Sequence, residues 1–126
     1  MLKSDSEIIK NEYLFSIIII IQNTNKYLLE SIESVINQDI EFNNIQLILI
    51  NSMDDDCEKT KKICEKYTSQ YNNILYYAEK GLKLNLARNL AIKMSKGKYI
   101  SFLEEADYLS DNACKIVNNF FENNSI

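Results

Sequence analysis

Proline, tryptophan and histidine are absent from these 126 residues, and glycine occurs only twice. Each gap excludes something. Without histidine the chain lacks the usual general base at neutral pH and the commonest zinc ligand. Two isolated glycines cannot build a glycine-rich phosphate loop, and neither G-x-G-x-x-G nor G-x-x-x-x-G-K-[ST] is present. The G-x-S-x-G nucleophile elbow is missing too. Cysteine is sparse and odd in number, at Cys57, Cys64 and Cys114, without metal-type spacing. That pattern points to reduced, mostly buried thiols in a cytosolic setting. A formal charge of −4 supplies no basic footprint, so no nucleic-acid partner is expected. The longest apolar run, Ile17 to Ile21, is far short of the roughly 20 residues that span a bilayer. At the N-terminus Lys3 is followed by acidic Asp5 and Glu7, which does not resemble a secretory signal.

What is present is ordinary globular material: 46% hydrophobic and 25% charged residues, enough for one domain. Residues 1–14 are expected to be an irregular lead-in and residues 15–126 a single domain. Phe15 to Ile21 is a first strand, buried on both faces because its isoleucines run consecutively. Lys26 to Gln38 is an amphipathic helix with Leu28, Ile32, Val35 and Ile36 on one stripe. Ile45 to Ile50 is a second strand, followed by a helix to about Tyr71 that buries Cys57, Ile63, Cys64 and Tyr67. Asp55 with Glu58 has capping-box spacing at its start.

Ile74 to Ala78 is a short third strand, in which Tyr76 and Tyr77 serve packing rather than sugar stacking. Asn85 is the expected cap of a third helix carrying Leu86, Leu90 and Met94 inward, with Gly97 at its C-terminal end. Tyr99 to Leu103 is the fourth strand. Ser110 is the expected cap of a last helix with Ala113, Ile116, Val117, Phe120 and Phe121 inward. Alternating strands and helices with right-handed crossovers give an α/β, Rossmann-like three-layer sandwich, its mainly parallel sheet in the order 3-2-1-4. Phe120 and Phe121 end the pattern with nothing after them to cover the sheet edge. An exposed apolar patch, or its burial by a second copy, follows.

Two strands end in acid. Ile50 leads into Asn51-Ser52-Met53-Asp54-Asp55-Asp56, and Leu103 into Glu104-Glu105-Ala106-Asp107. In open α/β sheets ligands bind beyond the carboxyl ends of the strands, at the switch point, here between strands one and four. Carboxylates there suit a phosphorylated ligand carried with a divalent cation. Other roles fit the same residues. The three aspartates can cap a helix and compensate its dipole, and Glu104 to Asp107 can be a solvated turn. Arg88 can face a diphosphate or pair with the acidic strand end.

Several segments together resemble family-2 glycosyltransferases. Ser16-Ile17-Ile18-Ile19, Asn23, Lys26-Tyr27-Leu28 and Ser34-Val35-Ile36-Asn37-Gln38 resemble S-V-I-I-P-x-Y-N, K-Y-L and S-V-x-x-Q. Ile50-Asn51 with Asp56 resembles V-[DN]-D-G-S-x-D. Leu84-Asn85-Leu86-Ala87-Arg88-Asn89 resembles G-L-S-x-A-R-N, and Gly97 to Leu103 with Asp107 resembles G-[EK]-Y-[IL]-x-F-L-D-x-D-D.

The resemblance implies a GT-A fold that binds a nucleotide diphosphate sugar, a UDP-sugar foremost, and passes the sugar to an acceptor hydroxyl. It implies nucleotide contacts from Asn23, Asn51, Ser52, Asp56 and Arg88. It also implies a divalent metal, Mn²⁺ or Mg²⁺, at Glu104 and Asp107. Ile20 stands for the family's Pro, Gln22 for Tyr, Ser52 for the base-binding Asp, Met53 for Gly, Glu104 for the first D-x-D acid and Ala106 for the second.

The implied setting is cytoplasmic, peripheral to a membrane through a longer protein, with no span in this chain. The remaining half of the enzyme, or a self-associating copy, is the implied protein partner. On this reading the chain alone is an inactive or incomplete transferase. The competing reading is a non-enzymatic GT-A-like module for protein contact or weak nucleotide binding.

Overall fold

Ile17, Ile18 and Ile19 are completely buried because their strand lies in the middle of a sheet with helices on both faces. The computed structural model describes residues 2–3, 12–23, 26–54, 57–104 and 107–123. Strands β1 (Leu2–Lys3), β2 (Tyr13–Ile21), β3 (Ile45–Asn51), β4 (Ile74–Ala78) and β5 (Gly97–Leu103) lie in the order β1-β5-β2-β3-β4. β2 runs parallel to both β3 and β5, and β3 parallel to β4. The four long strands therefore take the expected 3-2-1-4 order. β1 adds an antiparallel edge to β5, Leu2 opposite Ile100, within a stretch expected to be irregular. β2 also begins two residues earlier than its apolar run, because Tyr13 pairs with Gly97.

Strand alternation separates two cores. Phe15, Ile17, Ile19 and Ile21 face α1 (Leu28–Ile36), α2 (Glu58–Gln70) and α4 (Ala113–Asn123). Ile18, Ile48, Ile50 and Ile100 face α3 (Leu84–Met94). The chain steps from β2 to β3 to β4 in one direction and then crosses back to β5. Right-handed crossovers therefore put α3 alone on the opposite face.

The helix faces and ends correct several expectations. α3 buries Ala87 and Ala91, while Leu86 is 50% exposed. Small methyl side chains let the helix backbone lie close to a sheet already filled by isoleucine, which leucine would hold off. Met94 does pack against that core, partly buried. α4 buries Cys114 and packs Val117 and Phe121 inward, with Phe121 stacked on Tyr99 at 4.8 Å between centroids. Ile116 and Phe120 point outward, at 57% and 54% exposure.

Lys83, not Asn85, holds the cap position of α3, and Asn85 falls in its first turn. α2 starts at Glu58 after Cys57, and Asp55 lies outside the described residues. α4 starts three residues past Ser110, whose carbonyl accepts from the Ala113 N–H. Among the described residues the three cysteines form no disulfide. Burial pushes Cys64 up to about 12, with Glu65 adding to it, and Cys114 up to about 11, so both stay protonated at neutral pH. Among the described residues no helix is long and apolar enough to cross a membrane.

Gly97 is not a helix terminator but the first residue of β5. A β-carbon there would meet the Ser16 nitrogen at 2.4 Å and the Phe15 carbonyl carbon at 2.5 Å, both backbone atoms of the central strand. The left-handed glycine is Gly81, at φ 69°, in the turn after β4. Gly97→Ala should lower unfolding stability by about 3 kcal/mol, since backbone must move to admit the methyl. Gly81→Ala should lose only about 1 kcal/mol, the cost of a left-handed alanine. Urea denaturation of the two variants checks both the sizes and their order.

Candidate functional site

The carboxyl ends of β2, β3, β4 and β5 share one rim, and two recesses open there. The first lies at the switch point between β2 and β5. This cleft of about 30 Å³ is lined by Ile20, Gln22, Leu84, Arg88, Phe102 and Glu104, among others. Two of its residues, Leu84 and Arg88, come from the first turns of α3, and the positive dipole end of a helix favours an anion. The Arg88 guanidinium lies over the Phe102 ring, 6.0 Å from its centroid. That is within cation–π range, and both side chains line the cleft.

Glu104 follows β5 directly and is exposed. The Asp107 N–H donates to the Glu104 carbonyl at 2.9 Å, which keeps these two exposed acids near one strand end. Glu105 and Ala106 lie outside the described residues. Among the described residues no three Cys, Asp or Glu side chains gather as a metal cluster.

The second recess, of about 400 Å³, lies beyond β3 and β4 against the start of α2. Asn51, Met53, Cys57, Lys61, Tyr76 and Lys80 line it, among others. Asn51 is the last residue of β3, and its side chain works in both directions. Its Nδ2 donates to the Tyr76 hydroxyl at 3.0 Å, and its Oδ1 accepts from the Met53 N–H at 3.1 Å. Burial pushes the Tyr76 phenol above its ordinary value, with the Asn51 hydrogen bond pulling the other way. Asp54 is exposed beside the same rim, its Oδ1 3.3 Å from where a β-carbon on Gly81 would stand.

The residues singled out in the sequence are therefore distributed unevenly. Arg88 and Glu104 meet in the first recess, with Asp107 at the end of the adjoining turn. Asn51 lines the second. Asn23 is exposed just past β2, and Asp56 lies outside the described residues. Ser52 is buried, and both its N–H and its hydroxyl donate to the Ile21 carbonyl, at 2.9 and 3.2 Å. It ties the ends of β2 and β3 together.

Tyr76 was expected only to pack, and Lys61 and Lys80 were not singled out, yet all three line the larger recess. The available signal was the spacing of Cys57 and Lys61, one helical turn apart just after an acidic strand end.

The model of the family described as "Glycosyl transferase family 2" matches residues 16–125. The chain belongs to that family. It is 45% identical over 111 residues to the minor teichoic acid biosynthesis protein GgaB of Bacillus subtilis strain 168, covering 87% of this chain and 12% of GgaB. GgaA of the same organism, also named a minor teichoic acid biosynthesis protein, is 41% identical over 112 residues, covering 86% of this chain and 25% of GgaA. The chain thus spans a quarter or less of either relative. The crystal structure of S. aureus TarS 1-349 in complex with UDP superposes with a TM-score of 0.76 at 25% identity, over 86% of this chain and 32% of that one. The fold is the GT-A type.

Ser52, which the resemblance sets at the family's aspartate, donates its hydroxyl to a carbonyl from a buried site. Ser52→Asp should therefore destabilise the fold by about 2–4 kcal/mol at pH 7, because a buried carboxylate cannot donate to Ile21. Desolvation raises the folded-state pKa of the new acid above the unfolded value of about 3.9. The deficit should shrink as pH falls towards that value and grow as pH rises through the folded pKa. Denaturation midpoints of the variant and parent between pH 4 and pH 8 check the sign.

Proposed function

We propose that this chain is the nucleotide-diphosphate-sugar-binding part of a glycosyltransferase that passes a sugar from a UDP-sugar to an acceptor hydroxyl. The observation that carries the reading is the switch-point cleft, where Arg88, the start of α3 and Glu104 converge at the carboxyl ends of β2 and β5. A diphosphate there meets a guanidinium, which suits planar two-point contact with phosphate oxygens, and the donor end of a helix. The larger recess, with the Asn51–Tyr76 pair, offers donors, acceptors and an apolar wall in Met53, a suitable setting for a base and ribose. Asn23 and Asp56, next to these two rims in sequence, are proposed as further nucleotide contacts.

Glu104 and Asp107 fit a divalent cation as a partial ligand set. They are hard carboxylate donors at the ends of one turn, and a magnesium-like ion commonly takes one or two carboxylates and completes its shell with water and phosphate. Ala106, at the family's second D-x-D position, adds no ligand atom. A cation bound there would supply Lewis-acid stabilisation of the leaving diphosphate. The chain's own residues hold the phosphate charge at Arg88 and exclude water along Phe102 and Ile20.

The names of GgaB and GgaA support a teichoic-acid type of acceptor for the whole protein. The outward Ile116 and Phe120 support a covering partner, either further chain or a second copy. Alone, this part is expected to bind without turning over. A cytoplasmic setting, peripheral to the membrane through the longer protein, belongs to the same reading.

Calorimetric titration with UDP tests the reading. Arg88→Ala should weaken binding about tenfold, or 1.4 kcal/mol. The pair Glu104→Gln and Asp107→Asn should abolish any gain from Mn²⁺ while leaving the affinity in chelator unchanged. Absence of UDP binding by the unmodified chain would overturn the proposal. Binding that ignores both metal and Arg88 would favour the non-enzymatic module, a reading that Ala106 already supports.

A further inference from the structure

α1 does more than cover the sheet. Five of the hydrogen bonds made by it and by Gln38 and Asp39 just beyond it reach the segment that follows the acidic strand end. The Ser31 hydroxyl lies in hydrogen-bonding contact with the Asp107 carbonyl. Ser34 Oγ accepts from the Leu109 N–H at 3.0 Å while donating to the Ser31 carbonyl at 2.7 Å. Gln38 is 7% exposed and uses both ends of its amide. Its Nε2 donates to the Ser110 carbonyl at 2.7 Å and its Oε1 accepts from the Cys114 N–H at 3.0 Å. The Asp39 N–H then donates to the Asp111 carbonyl at 2.6 Å.

Residues 107–114 lack strand or helix pairing until α4 begins at Ala113, so these contacts take its place. Asp107 is held from both sides, its N–H by Glu104 and its carbonyl by Ser31. α1 is itself fixed by Leu28, Ile32 and Val35 in the main core. The position of the acidic turn is thereby set by β2 and α1, across the switch point from the strand that delivers it.

We infer that Ser31, Ser34 and Gln38 are positioning residues for the diphosphate end of the ligand. By clamping residues 107–114, they hold Asp107, and through its N–H the Glu104 carbonyl, beside the cleft containing Arg88. This rests on the reading of the cleft as a nucleotide-sugar site. A purely structural clamp would affect all binding or none. A positioning clamp affects the diphosphate and spares the nucleoside, which the other recess receives.

The test uses the whole chain with Ser31→Ala and Ser34→Ala combined, and Ser34→Thr as the conservative control. Amide hydrogen exchange at Leu109, the thermal midpoint, and NMR titrations with UDP and with uridine, all with Mn²⁺, are read side by side. The double variant should exchange faster at Leu109 and bind UDP about fivefold to tenfold more weakly, the effect of one or two lost hydrogen bonds. Uridine affinity should not change. Ser34→Thr, which keeps the hydroxyl, should restore Leu109 protection and UDP affinity.

Two results would overturn the inference while leaving the nucleotide-sugar reading intact. One is an equal loss for UDP and uridine; the other is faster exchange at Leu109 with unchanged UDP affinity. An unmodified chain that binds neither ligand overturns the nucleotide-sugar reading itself, and the inference with it.

Discussion

The close approach of β5 to β2 is the constraint on which the rest of the molecule depends. β2 is hydrogen-bonded along both edges, and β5 can lie against it at Phe15 and Ser16 only because Gly97 has no side chain. A buried polar group secures the same point. Ser16 Oγ donates to Gln46 Oε1 at 2.6 Å and accepts from the Gly97 N–H at 2.9 Å. Gln46 Oε1 also accepts from Lys96, and its Nε2 donates to the Met94 carbonyl. Every polar atom of that side-chain pair has a partner, which is what makes their burial tolerable. The network joins β2, β3, the end of α3 and the start of β5 at the rim opposite the site. The strand ends that form the clefts are therefore anchored from below.

That anchoring explains what the sequence revealed and what it concealed. Runs such as Ile17 to Ile21 and Leu47 to Ile50 are legible because a parallel strand covered on both faces needs apolar residues at every position. With right-handed crossovers, these strands and the helices between them are enough to yield the sheet order. Gly97 was misread because a glycine after a helix has a common local explanation. The contacts that decide its role come from Phe15 and Ser16, some eighty residues earlier in the chain. In α3 the inward face follows space instead of hydrophobicity, so Ala87 and Ala91 are buried where leucines were expected.

The site was less legible than the fold, for a related reason. Arg88 and Glu104 were visible because each sits in a segment whose local pattern has a family counterpart. Ser52 sits at such a position too, yet the register of β2 against β3 turns its hydroxyl onto Ile21. The larger recess is assembled from β3, β4, the start of α2 and the turn near Gly81. None of those segments carries a motif for it. Tyr76 becomes a polar wall only because Asn51 reaches it across the β3–β4 pair.

The two faces of the sheet also differ in kind. Three helices cover one face, where Cys64 and Cys114 and the isoleucines are buried core. The other has α3 alone, leaving Leu86, Ile92 and Phe102 partly open around the edge that bears Arg88. A helix that rests on two alanines and a methionine sits close to the sheet but buries little apolar area, and so contributes little stability per residue. The polar network at Gln46 compensates by fixing the C-terminal end of α3 through its Met94 carbonyl. The N-terminal end, where ligand chemistry is proposed, meets the sheet through buried Ala87 and through Arg88 over Phe102. A ligand that engages Arg88 therefore acts near the start of a helix whose far end is locked by the Gln46 network, and on the ring two residues before Glu104.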